Sequence, residues 1–300
     1  MAPLSPAGSN TIRGILSMIA GGAALTMSDA ATKWLTASLP IGEILFVRAL
    51  FVSVAIWLIV WRSGTAGGLR VASLRNQGIR ALLAVCSTFL IVASLSRLPL
   101  SEVIAILFVG PLFVAVLAGP LLGERVSVHR WLAVLIGFTG MLIIVRPGSN
   151  AFQLAAILPV VAALVSATRD IVTRRISASE SSTAILFYST VALTLVGLAT
   201  APFGWQPMDV TDLAIAVLSG TMFGLGHYLI IEGYRYAEAS VVSPYRYANL
   251  IWAVLLGFLL WGELPSIWVL AGTPLVVGSG IYILLHERSR RRSGNAGNAL

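Results

Sequence analysis

Ten stretches of the chain are continuously apolar over close to the roughly 20 residues that a helix needs to cross a bilayer. They lie at about 13–35, 41–61, 79–96, 101–122, 128–146, 153–174, 183–202, 211–231, 241–261 and 266–285 of the 300 residues. Continuous runs exclude a membrane barrel, whose strands alternate with a period of two. With 57% hydrophobic and 11% charged residues, the chain also lies outside soluble composition. The expected fold is all-α and integral to a membrane, a bundle of ten transmembrane helices.

Orientation follows from the cations in the loops, because cytoplasmic loops collect Lys and Arg. Arg13, Arg62, Arg70, Arg75, Arg80, Arg125, Arg130, Arg174, Arg175, Arg235, Arg288, Arg290, Arg291 and Arg292 fall on one side; Lys33, Arg97 and Arg146 fall on the other. Both termini are therefore expected in the cytoplasm of a cell with a bacterial-type inner membrane. The N-terminal tail, 1–12, precedes an apolar stretch longer than the core of a cleaved signal peptide. The tail at 287–300 is basic, rich in Gly and Asn, and reads as disordered. Sidedness and anionic headgroups account for the net charge of +8, so no nucleic-acid partner is expected. Cys86 is the only cysteine, which excludes an intrachain disulfide.

Sliding the chain along itself by 141 residues lays "SDAATKW" (28–34) over "RDIVTRR" (169–175), pairing Asp29 with Asp170, Thr32 with Thr173 and Lys33 with Arg174. "ILF" at 44–46 recurs at 185–187, and "LLGE" at 121–124 matches "LWGE" at 260–263 with a shift of 139. Each half, 13–146 and 153–286, then holds five helices. An odd number forces the second half into the membrane from the opposite side. Inverted repeats of this kind let secondary transporters open alternately to either face, although duplication also produces pseudo-symmetric membrane proteins that transport nothing.

Two five-helix halves, each with Gly-Glu at the end of its fourth helix (Gly123-Glu124 and Gly262-Glu263), resemble the drug/metabolite transporter superfamily and, more narrowly, its EamA-type exporters. The segments "SRLPLSEVIAILFVGPLFVAVLAGPLLGE" and "YRYAEASVVSPYRYANLIWAVLLGFLLWGE" carry most of the likeness. The layout is also similar to that of YddG-type aromatic amino-acid exporters. The resemblance implies export of small metabolites by alternating access, through a central cavity lined by spans 1, 3, 4, 6, 8 and 9. Amino acids with hydrophobic or aromatic side chains are the first candidates, with drugs, nucleosides and carboxylates as alternatives. The copies differ in one respect: the position shifted from Pro111 holds Leu250, and the second copy carries Pro244 instead.

The stretch "VVSPYRYANLIW" (241–252) sets Arg246 in an apolar span. Ser243 suits an N-cap, and Pro244 suits the first helical turn. If that helix start lies at membrane depth, its dipole and Arg246 attract a carboxylate, flanked by Tyr245, Tyr247, Asn249 and Trp252. If it lies at the surface, Arg246 snorkels to headgroups and the tyrosines form an interfacial belt. In the fourth span Pro111 removes a backbone hydrogen bond and permits a kink toward a cavity near Phe108. Thr88 and Ser166 offer hydroxyls either to that cavity or to their own helices. His227 is either a proton carrier or a hydrogen-bonded histidine of the bundle. Gly220 and Gly224 form a small-xxx-small face for close helix approach. Asp29 and Asp170 each have a base one turn on, Lys33 and Arg174, so local ion pairs are available. Alternatively these groups and Arg169 form a gating network that breaks as the halves rock. Arg48 has no acidic partner at helical spacing.

Enzyme chemistry finds little support. His129, His227 and His286 are too far apart for a clustered zinc motif, and Ser219 and His227 stand eight residues apart, off the geometry of a nucleophile and its base. No G-x-x-x-x-G-K-[ST] loop occurs, so the energy is expected from a gradient rather than ATP. No cofactor or metal is implied. The expected partners are the lipid bilayer and a small-molecule substrate, an amino acid or related metabolite.

Overall fold

A computed structural model describes residues 6–62, 71–122, 128–146, 154–176, 180–236 and 243–297. Eleven α-helices occupy them: α1 (Pro6–Leu35), α2 (Ile41–Arg62), α3 (Leu74–Leu95), α4 (Leu100–Leu107), α5 (Gly110–Leu122), α6 (Val128–Val145), α7 (Ile157–Ile176), α8 (Ser182–Ala199), α9 (Val210–Tyr236), α10 (Ala248–Trp261) and α11 (Ile267–Gly297).

The number is eleven rather than ten because the fourth span is interrupted. Pro111 lacks an N–H, and in a continuous helix its ring would strike the carbonyl of Leu107, four residues back. α4 ends at that residue. The junction tightens into three-residue turns, with Val109 N–H donating to Ile106 O at 3.0 Å and Leu112 N–H to Val109 O at 2.9 Å. The ninth span departs in the same place. Ser243–Tyr247 forms a 3-10 turn, and the α-helix starts at Ala248. An α-helix opening at Ser243 is thus corrected: Pro244 offers no N–H, and a short tight turn leads into the helix. Both expected tails are also partly helical, since α1 begins at Pro6 and α11 reaches Gly297. Extending a formed helix is far easier than nucleating one.

Four segments, Thr11–Leu35, Leu74–Leu95, Leu154–Thr173 and Val210–Ile230, are long and apolar enough to cross a membrane by themselves. Side-chain faces fit that solvent. On α6, Ala133, Val134, Met141 and Ile144 are buried, while Trp131, Leu135, Ile136 and Leu142 on the opposite side are equally apolar yet exposed. A helix that is apolar all round, with one side uncovered, suits lipid.

Helices pair across the chain. α1 packs along α9 and α3 along α7; α2 meets α8, and α6 meets α11; α1 also touches α10, and α7 touches α5. Each of these contacts joins an element before residue 146 to one after residue 153. The set maps onto itself under the sequence shift, since α1–α9 becomes α7–α3 and α1–α10 becomes α7–α5. Lipid gives helices no hydrophobic reason to associate, so small residues that let backbones approach carry the contact. A Cβ added to Gly226 of α9 would lie 2.9 Å from the Gly21 carbonyl oxygen of α1, and one added to Gly140 of α6 would lie 2.7 Å from that of Gly272 in α11. The expected Gly220–Gly224 face is only half realised. Gly220 lies against the Arg48 backbone of α2, but nothing approaches Gly224, and the closest approach of α9 falls to Gly226 on another face of the helix.

Candidate functional site

The two interrupted helices meet. Phe108, at the end of α4, and Tyr247, at the start of α10, contact edge to face with centroids 5.0 Å apart. They are separated by 139 residues, the offset that also superposes the two Gly-Glu pairs. Beyond this contact, Asn249 and Trp252 occupy one face of α10, three residues apart. The Oδ1 of Asn249 presses on Gly22 of α1, and the hydroxyl of Tyr247 presses on Gly280 of α11; a Cβ at either glycine would collide with them. Asn249 Oδ1 and Trp252 Nε1 are buried with no hydrogen-bond partner among the described residues. An unmade hydrogen bond costs about 1–3 kcal/mol, so an acceptor and a donor left open here are groups that a ligand can satisfy. Tyr245 and Arg246 are exposed at the approach to this contact.

A second cluster gathers at the end of α1. Lys33 Nζ, near the end of α1, donates to Glu263 Oε1 at 2.5 Å and to the Leu98 carbonyl oxygen at 3.0 Å. Glu263 Oε2 accepts the N–H of Leu100 at 3.1 Å, placing an anion at the N-terminus of α4 where the helix dipole favours it. The ammonium also sits 4.9 Å from the Trp261 ring centroid, and Trp261 in turn lies 6.2 Å from Trp34. The Gly-Glu motif acquires a physical reason. Gly262 adopts a left-handed φ of 67°, ending α10, and so turns Glu263 back onto α1 and the α3–α4 connection.

Other expected residues fall differently. Lys33 pairs across the fold, not with Asp29 one turn away; Asp29 is half-buried and faces the charge of Arg48. Asp170 pairs with its neighbour Arg169 at 2.8 Å, and the Arg174 and Ser243 side chains lie outside the described residues, as does Glu124. In place of Asp29, Lys33 meets Glu263, which the Gly262 turn fixes beside it and beside the Leu100 N–H. The Thr88 hydroxyl donates to the Ala84 carbonyl of its own helix at 2.8 Å. Ser166 is half-buried on α7, and Pro111 is exposed at the break. His227 has Nδ1 3.0 Å from the Phe223 carbonyl oxygen and its ring 4.2 Å from the Phe223 centroid. Sequence reasoning missed Glu263, Trp261 and Trp34 as functional groups; the repeated Gly-Glu was the available signal.

Apolar helices interrupted at matching positions, a polar aromatic contact between the interruptions, and an ion pair joining α1 to the end of α10 suit a membrane transporter of small solutes. Residues 12–146 and 153–285 each match the EamA-like transporter family, and the chain belongs to that family; it is not an enzyme. It is 31% identical over 288 residues to a riboflavin transporter of Rhizobium johnstonii, with 95% of each chain covered. It is 26% identical to an S-adenosylmethionine uptake transporter of Rickettsia bellii, covering 91% of this chain and 92% of that one. A crystal structure with 19% identity superposes with a TM-score of 0.61 over 91% of this chain and 98% of the other, a likeness of fold.

Proposed function

We propose that this secondary transporter carries a planar nitrogen-heteroaromatic metabolite, riboflavin being the first to test, by alternating access through a central cavity in a fold built from two inverted five-helix repeats, 13–146 and 153–286. In this reading ten spans cross a bacterial-type inner membrane with both termini in the cytoplasm, and the Lys33–Glu263 pair closes the outer face. The observation that carries it is the contact of Phe108 with Tyr247. Positions equivalent under the repeat touch each other, as they must where a two-fold axis in the membrane plane passes through the binding site. Aromatic rings suit a planar ring, and the unpartnered Asn249 Oδ1 and Trp252 Nε1 suit an edge carrying both a donor and an acceptor. Riboflavin presents such an edge, and a heteroaromatic ring is common to the cargo named for both relatives.

A second reading, export of an aromatic amino acid, rests on Arg246. Its guanidinium is exposed, makes no ion pair among the described residues, and projects positive charge onto Tyr247 and His227, which suits a carboxylate. Counterflow in sealed proteoliposomes separates the two. Labelled riboflavin should exchange, and Asn249→Ala should raise its KM. Exchange of tryptophan or tyrosine but not riboflavin, with sensitivity to Arg246→Ala, would establish the second reading instead. Exchange of neither would defeat both.

A further inference from the structure

Two buried polar clusters lie outside the central contact. In the first, Arg48 of α2, 4% exposed, donates from Nη1 to Thr32 Oγ1 of α1 at 3.1 Å. The Thr32 and Ser219 hydroxyls are 2.9 Å apart, and Ser28 Oγ donates to the Ser219 carbonyl oxygen of α9 at 2.8 Å. The guanidinium lies 4.1 Å from the Phe223 ring centroid. In the second, Arg80 of α3, 8% exposed, donates from Nε to Thr173 Oγ1 of α7 at 2.9 Å. From Nη1 it donates to the Ile185 carbonyl oxygen of α8 at 3.1 Å and to the Ser189 hydroxyl.

The repeat superposes the clusters. A shift of 141 carries Thr32 to Thr173 and Arg48 to Ser189; a shift of 139 carries Arg80 to Ser219. Each cluster therefore uses the same three positions, a threonine, an arginine and a serine, with the arginine and serine exchanged between two helices. Asp29 lies in the field of Arg48, whereas its equivalent, Asp170, is exposed and pairs with Arg169 at 2.8 Å. Such an exchange keeps the guanidinium at one place in space while changing the helix that supplies it. A buried guanidinium in a membrane is costly unless hydrogen-bonded, so helices that satisfy one resist separation. The sets so tied are α1–α2–α9 and α7–α8–α3, each drawn from both sequence halves. The Lys33–Glu263 pair, by contrast, runs from α1 to the end of α10 and the start of α4.

We propose that Arg48 and Arg80 are positioning residues for transport: each pins one three-helix set into a unit, and these two mixed units, not the two sequence halves, are the bodies that move against each other. The proposal rests on the transport reading above. The test uses riboflavin counterflow in proteoliposomes with the full chain. Arg48→Ser should slow exchange by roughly tenfold or more, as expected for losing a hydrogen bond to a charged group, with the effect in kcat rather than KM. Adding Ser219→Arg, which rebuilds the first cluster in the arrangement of the second, should restore most of the rate. Wild-type exchange by Arg48→Ser, or a folded double variant no faster than the single one, overturns the proposal. A second arm needs neither arginine changed. In a Cys86→Ser background, a disulfide between Leu25→Cys and Gly226→Cys, within the first unit, should leave exchange intact. One between Lys33→Cys and Glu263→Cys, across the closed end, should stop it. Loss of exchange on forming the first cross-link, in a variant that exchanges when reduced, overturns the proposal even where an arginine variant fails to fold. Failure of wild-type protein to exchange any solute would instead defeat the transport reading, so the two failures are distinct.

Discussion

Glu263→Gln isolates the charge in the contact proposed to close the outer face. The amide keeps the shape and an acceptor for the Leu100 N–H but removes the anion that meets Lys33 at 2.5 Å. The two side chains are 11% and 22% exposed, between a surface pair worth about 0–1 kcal/mol and a buried one whose rupture costs about 3–5 kcal/mol. About 2 kcal/mol is a reasonable loss, equivalent to roughly 30-fold in the balance between closed and open outer faces. Ala30, on α1 one turn before Lys33, is 2% exposed and reports that balance as cysteine. In a Cys86→Ser, Ala30→Cys background, a membrane-impermeant maleimide added from outside should label the Glu263→Gln variant roughly 30-fold faster than the parent when reclosing is fast relative to labelling. Lys33→Ala should behave alike. Unchanged labelling in both would refute the reasoning, because a contact that closes nothing cannot expose Ala30 when it breaks.

Gly262→Ala forces a Cβ into a left-handed conformation at a cost of roughly 1–2 kcal/mol, so it should raise Ala30→Cys labelling less than Glu263→Gln does, measured in the same assay. Gly22→Ala puts a methyl group into the space held by Asn249 Oδ1; overpacking costs about 1–3 kcal/mol, and riboflavin counterflow should show a KM raised several-fold. Gly110→Ala meets nothing within 4 Å and should leave that KM near the wild-type value. Gly272→Ala drives a methyl group into the Gly140 carbonyl oxygen at the α6–α11 crossing, and should lower the melting temperature in detergent by several degrees.

The sequence by itself determined the class of molecule. Hydropathy is a local property, and a backbone in lipid must satisfy its own hydrogen bonds as helix, so runs such as 13–35 and 211–231 could be read without knowing their neighbours. The repeat was equally legible, because Asp29 over Asp170 and Gly123-Glu124 over Gly262-Glu263 are matches along one dimension. Pro111 announced the interruption of the fourth span through a missing N–H. What decided the site was tertiary. Lys33 had an acid one turn away in Asp29, and only the left-handed turn at Gly262, together with the packing of α1 on α10, delivered Glu263 to it instead. Arg48 had no partner in its own helix and found Thr32 on another. Gly220 and Gly224 were equal candidates for a close crossing, yet Gly226 took it. Which buried charge meets which partner depends on contacts between residues far apart in the chain, and in lipid those contacts follow from backbone fit and hydrogen bonding, which no local pattern of apolar residues encodes.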